Sequence, residues 1–186
     1  AAIRAMVREN TLTPHDMIAP LFIREGKNER TAIGSMPGQS RLSVDLMIAE
    51  ARELYSLGVQ CVSLFPAIEA SKKTADAREA WNPDGLNLRA IKELKNARPE
   101  MMILRDIALA PYAHHRHDGL VDPKTGEVLN DATLEALSKQ AIASAKAGAD
   151  ILGPSDMMDG RIGYLRQSLD AESMGHVSLM SYTAKY

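Results

Sequence analysis

A single cysteine, Cys61, stands in 186 residues, which excludes an internal disulfide and any site built on paired thiolates. It lies in the apolar run 59–65 and reads as a small buried hydrophobe in a chain suited to a reducing cytosol. No apolar run approaches the roughly 20 residues of a membrane span. The first eight residues also lack the apolar stretch of a signal peptide. Charge of either sign is not in excess. With a net charge of −2 and basic residues spread along the chain, there is no electrostatic case for nucleic acid or an anionic membrane, which leaves a small neutral or acidic ligand. There is no Gly-rich fingerprint after the first apolar run, which argues against a dinucleotide-binding unit. The sequence also lacks an initiator methionine, so its N-terminus is expected to be incomplete.

What is present is ordinary globular composition, 45% apolar and 25% charged, enough for one domain with a real core. Five short apolar runs, at 17–23, 60–65, 101–106, 150–154 and 177–182, read as strands. Four amphipathic patterns lie between them. Ser43 is placed to cap a helix carrying Met47, Ala51, Leu54 and Tyr55, with Gly58 as its left-handed stop. A second helix over about 85–98 groups Leu88, Ile91 and Leu94 ahead of Pro99. Asn130 or Asp131 is placed to cap a third, with Leu134, Leu137, Ala141 and Ala145 on one face and Gly148 at its end. A fourth, over about 160–171, groups Ile162, Leu165 and Leu169. Strands alternating with helices predict βαβ units and a parallel sheet, either an open doubly wound sheet or the first part of an eight-stranded barrel. The last strand is followed by no helix and leaves an exposed edge.

Reactive side chains fall at the strand ends: Asp106 after the third, Ser155 and Asp156 after the fourth, Tyr182 and Lys185 after the fifth. Singly, each has a plainer reading as a cap or a satisfied core group. In a β/α barrel all of these ends converge on one mouth. There they supply an amine nucleophile, a carboxylate, a hydroxyl and a phenol, the set needed to condense carbonyl compounds. A lysine with a reference pKa of about 10.4 attacks a carbonyl at neutral pH only if its surroundings lower that value by roughly 2–3. The run from His114 to Asp118 carries three histidines and an aspartate, either a metal site or, better matched to its spacing, a polar lid bending at Gly119 and Gly126. Met157 and Met158 read as packing residues.

These stretches together resemble the porphobilinogen synthase (5-aminolevulinate dehydratase) family. The resemblance is carried by Met36-Pro37-Gly38, Leu64-Phe65-Pro66, Asn82-Pro83-Asp84-Gly85 and the residues from Asp106 to Tyr112. It is carried most specifically by Ser155-Asp156-Met157-Met158-Asp159-Gly160-Arg161 and the final Tyr182-Thr183-Ala184-Lys185-Tyr186. The resemblance implies a TIM-barrel lyase of tetrapyrrole (heme) biosynthesis that joins two 5-aminolevulinate molecules into porphobilinogen with loss of water. It also implies a cytoplasmic homo-oligomer, an octamer in the family, with an N-terminal arm at residues 1–14 and a partial barrel over 15–186.

Lys185 matches one of the family's two Schiff-base lysines, the one that binds the substrate supplying the acetic-acid side. The other belongs to a later strand. Asp106 is implied in proton handling, and Ser155 and Tyr182 in binding substrate. In zinc-dependent members three cysteines match Ala108, Ala110 and Asp118. Two of those positions here are alanines, so no zinc-binding cysteine is expected and the active site is read as needing no metal, with room for a structural magnesium. Because Lys185 is next to last, the sequence is expected to be C-terminally truncated and, as it stands, inactive in making porphobilinogen. A non-catalytic half-barrel serving as an interaction protein is the alternative reading. A generic class I aldolase also fits a strand-end lysine but leaves the 155–161 run unexplained.

Overall fold

The computed structural model describes residues 2–184, so Lys185 lies outside the described residues together with Ala1 and Tyr186. A short helix, α1 (Ala2–Met6), and the residues up to Pro14 bury no side chain. Strand β1 (Ile18–Ile23) is followed by a hairpin of β2 (Arg30–Ala32) and β3 (Ser40–Leu42). Helices and strands then alternate: α2 (Val44–Ser56), β4 (Cys61–Pro66), α3 (Leu86–Ala97), β5 (Met102–Ile107), α4 (Asn130–Ala147), β6 (Ile151–Pro154), α5 (Arg161–Ala171) and β7 (Ser178–Leu179).

The sheet order is β2-β3-β1-β4-β5-β6-β7, and from β1 onward every neighbouring pair is parallel and follows chain order. A doubly wound sheet reverses its order at a switch point and carries helices on both faces. Here β3 and β4 lie on opposite sides of β1, but α2, α3, α4 and α5 all pack in one core on a single face, so the arrangement is that of a β/α barrel, open with β2 and β7 at its edges.

Strand periodicity decides which residues meet the helices. Leu21, Ile23, Val62, Leu64, Ile103, Ile107 and Leu152 point to one face and form a single core with Met47, Ala51, Ile91, Leu94, Leu137, Ala141, Leu165 and Leu169. Each such fully buried aliphatic side chain contributes about 1.5–3 kcal/mol. The alternate positions lie on the other face in register rows. One row holds Pro20, Ser63, Leu104 and Ile151, and the next begins with Phe22 and Phe65, whose rings lie 5.7 Å apart.

The helix stops read from the sequence are present: Gly58 and Gly148 take φ of 93° and 111°, which favours glycine. Other expectations are corrected. The hairpin adds two strands that have no hydrophobic period, with β2 exposed throughout. The last strand is two residues rather than six, because Met174 and Val177 close a turn against α5 before it begins. Neither Asn130 nor Asp131 caps α4. Leu129 holds the cap position with no side-chain bond, while the Asn130 amide binds the main chain of Asp159 instead. Cys61 is half-buried, and burial raises its thiol pKa. Met158 packs as expected, but Met157 is exposed.

Candidate active site

Asp106 stands near the end of β5, and its position is set by a buried anchor one residue earlier. Arg105 points to the helix side and is 1% exposed. It donates to the carbonyl of Asp106 and, at 2.6 Å, to the Tyr112 hydroxyl. An amide nitrogen facing a guanidinium would set donor against donor. With the Asn87 amide turned so that its oxygen faces inward, that oxygen accepts from Nε and Nη2 of Arg105 at 3.0 and 3.2 Å. This anchor was not legible in the sequence, because Asn87 and Tyr112 reach Arg105 only through the tertiary fold.

Because Arg105 points to the helices, Asp106 falls on the opposite face, where it is 8% exposed and in register with Gly153 of β6. A Cβ on Gly153 would come within 3.1 Å of the Tyr182 ring. The missing side chain therefore makes room for the phenol beside Asp106. Burial, and then the charge of Asp106, raises the Tyr182 pKa, so the phenol keeps its proton at neutral pH. The ladder continues past the ends of β6 and β7: the Ser155 amide donates to the Ile107 carbonyl at 3.2 Å, and the Tyr182 amide donates to the Pro154 carbonyl at 3.3 Å. Three of the residues read from the sequence, Asp106, Ser155 and Tyr182, are thus brought to neighbouring strand ends. The fourth, Lys185, follows Tyr182 by three positions, outside the described residues.

Asp156 does not cap α5. Its Oδ1 accepts the Met158 amide at 2.8 Å, and burial raises its pKa, with the charge of Asp118 adding to the effect. In the histidine run, Nδ1 of His115 accepts the His117 amide at 3.1 Å and Nδ1 of His117 accepts the Gly119 amide at 2.9 Å. These bonds occupy a nitrogen of each ring and fold the loop on itself. Among the described residues no three His, Cys, Asp or Glu side chains are grouped to share a metal ion. Ala108 and Ala110 supply no ligand atom, so a zinc ion held by three thiolates does not fit this site.

A cleft of about 490 Å³ lies beside the mouth, at the C-terminal ends of β1 and β4, lined by Arg24, Arg41, Lys73 and Glu69 among others. Asp106, Ser155 and Tyr182 do not line it. Asp106 and the Tyr182 ring lie on the open sheet face.

A family model described as "Delta-aminolevulinic acid dehydratase" matches residues 1–186. A delta-aminolevulinic acid dehydratase of Bradyrhizobium diazoefficiens is 45% identical over 98% of this chain and 51% of its own length. The chloroplastic enzyme of Pisum sativum is 48% identical over 100% of this chain and 46% of its own. The crystal structure of the dehydratase from Toxoplasma gondii ME49, solved in complex with the reaction product porphobilinogen, superposes with a TM-score of 0.96 at 45% identity, covering 100% of this chain and 52% of that one. The chain therefore spans about half the length of the relatives it matches, and its open sheet is part of their TIM barrel. On the match across its whole length, the chain belongs to the delta-aminolevulinic acid dehydratase family.

Proposed function

We propose that this protein acts in the condensation of two 5-aminolevulinate molecules to porphobilinogen, with Lys185 as the Schiff-base nucleophile. The observation that carries the reading is the register row in which Asp106, Gly153 and the Tyr182 ring meet, three residues before Lys185, in a chain that matches this family throughout.

The chemistry follows from those groups. The neutral amine of Lys185 adds to the substrate ketone, and the carbinolamine loses water to give the imine. The carboxylate of Asp106 takes and returns the protons these steps move. The Tyr182 phenol, held protonated by its raised pKa, donates to the bound substrate, and the Ser155 hydroxyl helps orient it. A zinc ion held by thiolates takes no part in these steps, because two of the three matching ligand positions are alanine. A magnesium ion would serve structure, not this chemistry.

The protein is further proposed to act in the cytoplasm as a homo-oligomer. A lone cysteine supports a reducing compartment, and Ile3, Met6, Val7 and Leu12, all exposed along the N-terminal arm, support burial against another copy. No helix among the described residues is long and apolar enough to cross a membrane.

Incubation with 5-aminolevulinate and borohydride, followed by peptide mapping, is expected to place reduced substrate on Lys185. Labelling that persists in Lys185→Ala would refute the assignment.

A further inference from the structure

The turn from β6 into α5 carries a buried carboxylate that the chemistry above does not use. Asp156 is 2% exposed, and its Oδ2 has no hydrogen-bond partner among the described residues. Burying an anion in this way is costly, and a turn that needed only the Oδ1 acceptor would be served by asparagine. The cation facing it is Arg161, whose Nε lies 3.6 Å from Oδ2 and also lacks a hydrogen bond. The guanidinium reaches onward in two directions, donating to the Met158 carbonyl at 3.3 Å and to the Tyr182 carbonyl at 3.3 Å.

The loop that presents this arginine is itself fixed. Gly160 takes φ of 74°, turning the chain into α5, and the Asn130 side chain holds the Asp159 amide at 2.9 Å. Residues 180–184, by contrast, lie beyond the end of β7. Among the described residues they are tied by the main-chain bonds of Met180 and Tyr182 to β6 and by the Arg161 bond. The segment that leads to Lys185 is therefore steered by a side chain whose charge Asp156 holds in place.

We infer that Asp156 and Arg161 are a positioning pair that holds the main chain at Tyr182, three residues before Lys185, in the place the chemistry requires. This rests on the function proposed above. Neither residue needs to touch substrate. Their effect is geometric, and a displacement of about 1 Å at a reacting group is enough to cost on the order of 100-fold in rate.

The test is the rate at which Lys185 is labelled by 5-aminolevulinate and borohydride, measured at saturating substrate alongside the thermal midpoint. Arg161→Gln is expected to slow labelling by on the order of 10- to 100-fold, with half-saturation moving much less. Arg161→Lys restores part of the rate, since one ammonium can reach Asp156 or the Tyr182 carbonyl but not both. Asp156→Asn keeps the acceptor for Met158 and removes a buried charge, so its midpoint equals or exceeds that of the wild type while its labelling still slows. A pair with a merely structural role would instead lower the midpoint and leave the rate per folded molecule unchanged. If Arg161→Gln does not fold, the other two variants decide. Wild-type protein labelled on Lys185, with variants labelled at the same rate, overturns this inference alone. Wild-type protein that is never labelled overturns the proposed function and this inference with it.

Discussion

Removing the Tyr112 hydroxyl tests whether Arg105 is the anchor that fixes the end of β5. The guanidinium is 1% exposed, and the acceptors around it are neutral: the Asp106 carbonyl, the Asn87 amide oxygen and the Tyr112 hydroxyl at 2.6 Å. In Tyr112→Phe the ring stays, so little packing is lost and the cost is that of one buried donor on a charged group left without an acceptor. Such a bond is worth about 1.5–3 kcal/mol. For a chain of this length that is a fall of about 3–12 °C in the thermal midpoint. Urea unfolding followed by circular dichroism measures it directly. Tyr55→Phe is the control, because the Tyr55 ring stacks under Arg98 at 4.1 Å and deleting its hydroxyl is expected to change stability by less than about 0.5 kcal/mol. A Tyr112→Phe variant within about 0.5 kcal/mol of the wild type would refute the anchor.

Asp150→Ala is expected to destabilise by about 2–4 kcal/mol in the same urea titration, because Asp150 both accepts the Ile103 amide at 2.7 Å and pairs with Lys95 at 2.8 Å. Burial raises the Asp156 pKa above the ordinary aspartate value of about 4, so the native state holds more protons than the unfolded chain between the two values. The contribution of Asp156 to stability therefore falls as pH rises through that window, and Asp156→Asn is expected to gain on the wild type between about pH 4 and pH 7 while converging with it in acid. Unfolding free energies at the two ends of that range check the sign. Treatment with EDTA is expected to leave the rate of Lys185 labelling unchanged, and a loss restored by zinc would contradict the reading of Ala108 and Ala110.

The parallel strand-and-helix order was legible in the sequence because it depends on local signals: apolar runs of strand length, three- and four-residue spacing in the helices, and glycines such as Gly58 and Gly148 that only a left-handed stop requires. The packing of all four helices on one face then separated a barrel from a doubly wound sheet, which periodicity alone left open. The hairpin was not legible, since three-residue strands with exposed Arg30, Thr31 and Ala32 carry no alternation. Of the site, the strand-end residues could be read, because strand ends converge in a barrel. Their supports could not. Arg105 looks like one more residue of an apolar strand, Arg161 like the opening of the fourth helix and Asn130 like the cap of the third. Each takes its role from a partner more than five residues away, at Tyr112, Tyr182 and Asp159.

In the proposed chemistry the ends of β5, β6 and β7 gather Asp106, Ser155 and Tyr182 around a substrate held by Lys185. The decisive experiment is a crystal structure of the protein reduced with borohydride in the presence of 5-aminolevulinate. The expected result is continuous density from Lys185 Nζ to the former ketone carbon, with the Tyr182 and Ser155 hydroxyls within hydrogen-bond reach of the bound substrate and Asp106 facing the new bond. Density for the substrate on another lysine, or in the cleft of Arg24, Arg41 and Lys73 with Lys185 unmodified, would contradict it.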